Sequence, residues 1–177
     1  MNKDRMAVFV VDVESIGLHG EAFAVAGGLY IDGAAQWEFK YSCDPGLCSG
    51  SASDRKWVEE NIPQFEITHR GPKSMRESFW NRWQEAKAQK STMAADCLWP
   101  VEARFVAQCV DDDAEYRRWE GPYPFMEIST YLEATGVDPM ADHERRASEL
   151  PKHDPLADVR QSARLLFEAI ESIGGSA

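Results

Sequence analysis

Residues 7–13 read AVFVVDV, six apolar residues and one carboxylate with nothing to break a β-strand. Side chains alternate between the two faces of a strand, so a run this continuous and this rich in β-branched residues is satisfied only when both faces are covered. Such a strand lies centrally in a sheet with helices on both sides, which predicts an α/β fold. Asp12 breaks the apolar pattern and Glu14 follows it by two residues, so both carboxylates leave the strand on the same side. Paired carboxylates at the end of a buried strand make a cradle for a hard cation: magnesium and manganese favour oxygen donors, and two-metal sites, with ions about 3.5–4 Å apart, gather carboxylates from several elements. Surface acids produce the same spacing, so the pair needs partners elsewhere in the chain.

The remaining segments supply a sheet and its cover. Residues 21–31 predict a second strand, weakened by Gly27 and Gly28. Asp32-Gly33 is a hairpin signal, and residues 36–42 (QWEFKYS) alternate as a returning third strand, giving an antiparallel meander. Ser53 and Asp54 would cap a helix to Asn61. After the Gly71-Pro72 break, residues 74–89 predict a helix whose Met75, Phe79, Trp83 and Ala86 form a core-facing stripe. Residues 91–96 (STMAAD) predict a fourth strand, and Pro100 opens a helix over VEARFVAQCV, with Phe105 in the core. Residues 111–118 suggest a solvated turn. Residues 123–128 read as a short strand before a helix at 129–135 that Gly136 stops. Residues 140–150 (MADHERRASEL) suggest a mobile loop. A helix over 155–173 starts on Pro155 and carries Leu156, Val159, Ala163, Leu166, Phe167 and Ile170 on the face that meets the sheet. Without an internal repeat or linker, residues 1–177 form a single domain.

Thirty acids against nineteen Lys and Arg leave a formal net charge of −11. That argues against a broad basic surface for nucleic acid, because phosphate binding is largely a Lys/Arg contribution. It is compatible with gripping a terminal nucleotide through bound cations. No stretch approaches the ~20 apolar residues of a membrane span, and the N-terminal residues lack a signal-peptide pattern, so a soluble, cytoplasmic protein is expected. Cys43, Cys48, Cys97 and Cys109 are then expected to be reduced; Cys43 and Cys48 have the spacing of a zinc knuckle but no second pair, which leaves them as loop thiols.

The partners of Asp12 and Glu14 appear near the C-terminus in KHDPLADVR, where His153 and Asp158 straddle the start of the last helix. With both halves in this order and setting, the chain resembles the DEDDh 3′-to-5′ exonucleases, a family that includes ribonuclease T and replicase proofreading subunits. VFVVDVESIG with the following meander is similar to the family's first motif and HDPLADV to its last; Ser15 stands where the family has threonine. The middle motif departs from the family. The region AADCLWPVEARFV holds two candidates: Asp96 at the strand end, preferred for its residue type and position, and Glu102, which keeps the helical register with glutamate for aspartate, as an alternative or additional ligand.

The resemblance implies a ribonuclease H-like mixed sheet, a three-stranded antiparallel meander plus parallel strands, flanked by helices. It implies two divalent cations, Mg²⁺ or Mn²⁺, held by Asp12, Glu14, Asp158 and the middle acid, one activating a water and the other stabilising the leaving 3′ oxygen. His153 would be the general base. The products would be nucleoside 5′-monophosphates. Ser15, Ile16 and Leu18 match the segment that meets the terminal nucleotide, with packing of the turn an equal reading for Ile16, and Trp99 is placed to stack a base. The expected partner is the 3′ end of a single-stranded nucleic acid, short RNA being favoured, and Trp37, Trp57 and Trp80 would suit a homodimer interface. The rival from another class is a catalytically inactive nucleic-acid-binding or regulatory module on the same fold.

Overall fold

In the computed structural model of the chain, residues 5–174 are described. The first strand, β1 (Ala7–Ser15), is central as its composition requires: it pairs antiparallel with β2 (Ala22–Ile31) and parallel with β4 (Thr92–Ala95). β3 (Ala34–Ser42) extends the meander beyond β2, and β5 (Phe125–Glu127) adds a parallel strand beyond β4, for the order β3-β2-β1-β4-β5. Asp32 and Gly33 make the β2–β3 turn with φ of 49° and 82°, the left-handed pair that a two-residue hairpin uses. Gly27 and Gly28 do not interrupt β2. They make room for rings instead: an added Cβ would meet Phe39 at 2.9 Å from Gly27 and Tyr30 at 2.8 Å from Gly28.

Helices cover both faces. On one lie α1 (Ala52–Asn61), α2 (Pro72–Ala88) and α3 (Ala103–Asp111), packed on Phe9, Val11 and Val13 of β1. Met75, Phe79, Trp83 and Ala86 are the buried stripe of α2, and Phe105 is buried beside Phe79. A short helix α4 (Ala114–Arg117) follows α3. On the other face, α5 (Ile128–Ala134) and α6 (Pro155–Gly174) pack on Val8, Val10 and Ala94 through Ile128, Leu132, Val159, Ala163 and Leu166. The alternation of β1 therefore divides its side chains between two cores, and Asp12 and Glu14 fall in step with Val8 and Val10, on the α6 face.

Several expectations change. The cap of α1 is Ser51, whose hydroxyl accepts the Asp54 N–H at 3.1 Å. Residues 111–118 are solvated only in part: Asp111, Ala114, Glu115, Tyr116 and Arg118 are exposed, but Asp112 takes Arg76 in a two-point ion pair at 2.6 and 3.0 Å, and Arg117 is buried over the Trp80 ring with Glu77 and the Cys109 carbonyl as partners. Residues 140–150 are irregular but fastened, because the buried Glu149 accepts Arg164 at 2.7 and 2.9 Å and the Arg146 N–H at 3.0 Å. Trp80 is buried, Trp37 packs against the core and Trp57 is exposed elsewhere, so these three do not make one surface.

Phe9 is fully buried and stacks or tilts against Trp37, Phe39, Phe79 and Trp83 with centroids 5.7–6.2 Å apart. Phe9→Ala would leave a cavity that the sheet cannot collapse to fill, and urea unfolding should show a loss of about 3–5 kcal/mol.

Candidate metal centre and its carboxylates

Sheet register builds the centre. Asp12 stands opposite Ala26 and Glu14 opposite Ala24, so β2 presents only methyl groups beside the two acids. Across the parallel pair, Val11 is level with Ala95, which puts Asp96, the next residue, level with Asp12 and on the same face. The Asp96 backbone is held there by Ser129, whose N–H and hydroxyl both donate to its carbonyl oxygen, at 3.1 and 2.7 Å.

Glu102 arrives by a different route. β4 stops at Ala95, and the chain passes through a wide helical turn, Leu98–Glu102, before α3 begins. The turn carries Glu102 inward until it is nearly buried, where its carboxylate accepts its own N–H and that of Val13, a donor beyond the last rung that β1 shares with β4. Trp99, in the middle of the same turn, is extended and 73% exposed.

The fifth and sixth groups come with the start of α6. Asp154 caps that helix by accepting the Leu156 and Ala157 N–H groups at 3.0 and 3.3 Å, and Lys40 of β3 pairs with it at 2.6 Å. The cap fixes the first turn, in which Asp158 looks back toward β1. Asp158 accepts the backbone N–H of His153 at 3.1 Å and is ion-paired with Arg145. His153 itself has φ of 61°, the left-handed region, and its Nδ1 lies 4.0 Å from Glu14 Oε1. Glu14, His153 and Asp158 offer ligand atoms that all lie within 4.8 Å of one another.

The electrostatics show what this assembly lacks. Desolvation first, and then Glu14, Glu102, Asp158 and Asp96, push Asp12 well above the ordinary carboxylate range. Burial followed by Asp158, Glu102 and Asp154 raises Glu14 to about 8. Burial raises Glu102 to about 7 against the pull of its two N–H donors, and Asp96 is raised by desolvation and by Asp158. Among the described residues, Arg145 is the only Lys or Arg in ion-pair reach of these five carboxylates, and it touches Asp158 alone. Closely packed carboxylates in a desolvated site need added positive charge, and an all-oxygen donor set with one imidazole beside it suits Mg²⁺ or Mn²⁺.

The structure thus brings together Asp12, Glu14, Asp96, Glu102, Asp158 and His153. Of the two middle acids, Glu102 is the deeper and the one felt by both Asp12 and Glu14, while Asp96 is more exposed and felt by Asp12. Leu18, in the turn after β1, is 64% exposed, but Ile16 is fully buried in the opposite core, leaving it no surface for a substrate, and Ser15 spends its hydroxyl on the Gly17 carbonyl at 2.7 Å. Two neighbours had no signal in the sequence. Arg145 comes from the segment read as mobile. Trp57 of α1, read as an interface residue, sets its ring edge-to-face on His153 with centroids 5.7 Å apart.

No protein-family model matches the chain, and no curated protein matches it. Among solved structures, a full-length 3′-exonuclease is similar with a TM-score of 0.51 and 12% sequence identity, over 94% of this chain and 82% of its own. This chain shares that fold. The expected mixed sheet, meander plus parallel strands under helices on both faces, is borne out. Among the described residues no helix is long and apolar enough to cross a membrane.

Groups whose folded-state pKa is raised bind protons in the fold that the unfolded chain has released, so stability falls as pH rises between the unfolded and folded values. Without divalent ions, stability should fall as pH rises from about 4.5, the ordinary value, through about 7 for Glu102 and about 8 for Glu14. Melting curves in chelator should show a lower Tm at pH 8 than at pH 6, each kcal/mol being about 2–4 °C for a chain of this size. Glu102→Gln should raise the Tm at pH 8 and flatten the slope.

Proposed function

We propose that this chain is a metal-dependent 3′-to-5′ exonuclease that removes nucleoside 5′-monophosphates from single-stranded nucleic acid, with short RNA as the favoured substrate. The observation that carries this reading is the convergence of five carboxylates and one histidine at the end of β1, in the fold shared with a 3′-exonuclease. Asp12, Glu14, Asp158 and Glu102 are the residues that would hold two divalent cations, with Asp96 as an additional, more exposed ligand acting through water. Such cations supply the charge that acidifies an attacking water and stabilises the departing 3′ oxygen.

The chain's own residues do the rest. His153, at the solvent edge of the cluster, takes the proton of the attacking water as general base. The N–H it donates to Asp158 and the Trp57 ring against it fix the imidazole on the Glu14 side. Trp57, exposed and set against His153, offers a ring on which a terminal, unstacked base can lie, a contact worth about 1–3 kcal/mol per base, and the exposed Leu18 and Trp99 are further candidates to meet it. A net charge of −11 fits a short hold on one end better than a grip on a long polymer.

The test is degradation of 5′-labelled single-stranded RNA and DNA with Mg²⁺ or Mn²⁺. Shortening from the 3′ end is expected, abolished by Asp12→Asn and slowed about 10²–10⁴-fold by His153→Ala. Glu102→Gln should be more harmful than Asp96→Asn. If neither polymer is cut with either metal while oligonucleotides still bind, the chain is a binding module on this fold and not an enzyme.

A further inference from the structure

Cys43 follows β3 and Cys48 follows the tight turn Pro45–Leu47, which folds the chain back so that the two sulfur atoms lie 3.7 Å apart. Both are thiols of the loop between β3 and α1, as the sequence suggested, and both side chains are buried in it. Cys43 is fixed by its backbone N–H on the Phe23 carbonyl at 2.8 Å, and the Cys48 sulfur lies 3.4 Å from the Ala22 carbonyl oxygen. Bonded sulfurs are about 2.05 Å apart, so side-chain rotation has only a short gap to close. A second observation gives Cys43 access. Cys43 lies on the wall of a cavity of about 570 Å³ behind α1, whose rim includes the exposed Ile67 and Glu59 and whose wall includes Arg55 and Gln64.

We propose that Cys43 and Cys48 form a reversible dithiol–disulfide site, oxidised by small-molecule disulfides that enter this cavity. The Cys43 thiolate attacks one sulfur of the incoming disulfide; a Cys43 mixed disulfide forms and one small thiolate leaves. Cys48, losing its proton, then attacks the Cys43 sulfur and expels the second small thiolate. Two electrons and two protons pass from the protein pair to the small disulfide, which becomes two thiols. The direction of attack agrees with the local chemistry, since the hydrogen bond from Cys48 holds the Cys43 thiol below its usual range, while that bond and burial push Cys48 up.

Closure would be felt at the centre. Ser49, next to Cys48, is tied to Glu21 twice, accepting its N–H at 2.8 Å and donating to Glu21 Oε2 at 3.1 Å. Gly50 lies so close under Ile16 that an added Cβ would be 2.1 Å from Ile16 Cγ2. Ile16 anchors the turn that displays Leu18, so drawing Cys48 toward Cys43 shifts that turn. This consequence rests on the proposed nuclease reading, whereas the thiol chemistry does not.

The experiment incubates the full chain with millimolar oxidised glutathione or with excess reductant, then alkylates, digests with trypsin and weighs the peptide YSCDPGLCSGSASDR, which holds both cysteines. After reduction the peptide should carry two alkyl groups; after oxidation it should carry none and be lighter by two hydrogens. Cys48→Ser should trap glutathione on Cys43, and Cys43→Ser should leave Cys48 free to be alkylated. A native protein whose peptide takes two alkyl groups after oxidation, with glutathione on the exposed Cys97 alone, overturns the site. In the nuclease assay, oxidised wild type should change severalfold in turnover and recover on reduction while Cys43→Ser stays constant; equal turnover of a fully oxidised sample overturns the coupling to the turn.

Discussion

The repulsion among the carboxylates at the end of β1 is the constraint to which the rest of the molecule is fitted. Asp12 and Glu14 cannot turn away from each other, because β1 is covered on both faces and its alternation commits them to the same side. Register adds Asp96, the wide turn before α3 adds Glu102, and the capped first turn of α6 adds Asp158. Each addition raises the others toward protonation. A fold selected for stability alone would have no reason to gather these groups; one that binds divalent cations would.

Holding such a cluster requires stiffness around it, and arginines provide much of that. Arg160 of α6 grips Glu38 of β3, with its shortest contact at 2.7 Å, and the same carboxylate accepts the Tyr30 hydroxyl at 2.7 Å. Arg164 holds Glu149 and with it the segment that delivers Arg145 to Asp158. On the other face Arg76 joins Glu21 and Asp112. The chain is strongly acidic overall, and these paired arginines sit where a loop or helix must keep its place relative to the centre rather than on a surface for binding polyanions.

What could be read in the sequence was what short-range pattern decides. The central position of β1, the same-side placement of Asp12 and Glu14, the hairpin at Asp32-Gly33 and the two-sided helical cover follow from periodicity and turn chemistry. His153 and Asp158 are separated by one helix start, so their proximity is also local. The depth of Glu102 was hidden because it depends on a turn wider than an α-helix, with Trp99 held extended inside it. Trp57 and Arg145 were missed because their neighbours are a hundred residues away or across a loop, and no spacing in the chain encodes those contacts. Asp112 and Arg117 looked solvated with the rest of their run because their partners lie on α2, out of view of the local sequence.

The central claim is that these carboxylates form a binding site for a pair of divalent cations, and direct titration of the chelator-treated protein with Mn²⁺, followed by calorimetry and electron paramagnetic resonance, tests it without reference to any substrate. The account predicts two ions per chain, magnetically coupled as ions about 3.5–4 Å apart are, with protons released on binding because raised carboxylates must ionise, and with binding lost in Asp12→Asn. No Mn²⁺ binding at neutral pH, or binding that survives Asp12→Asn unchanged, would contradict it.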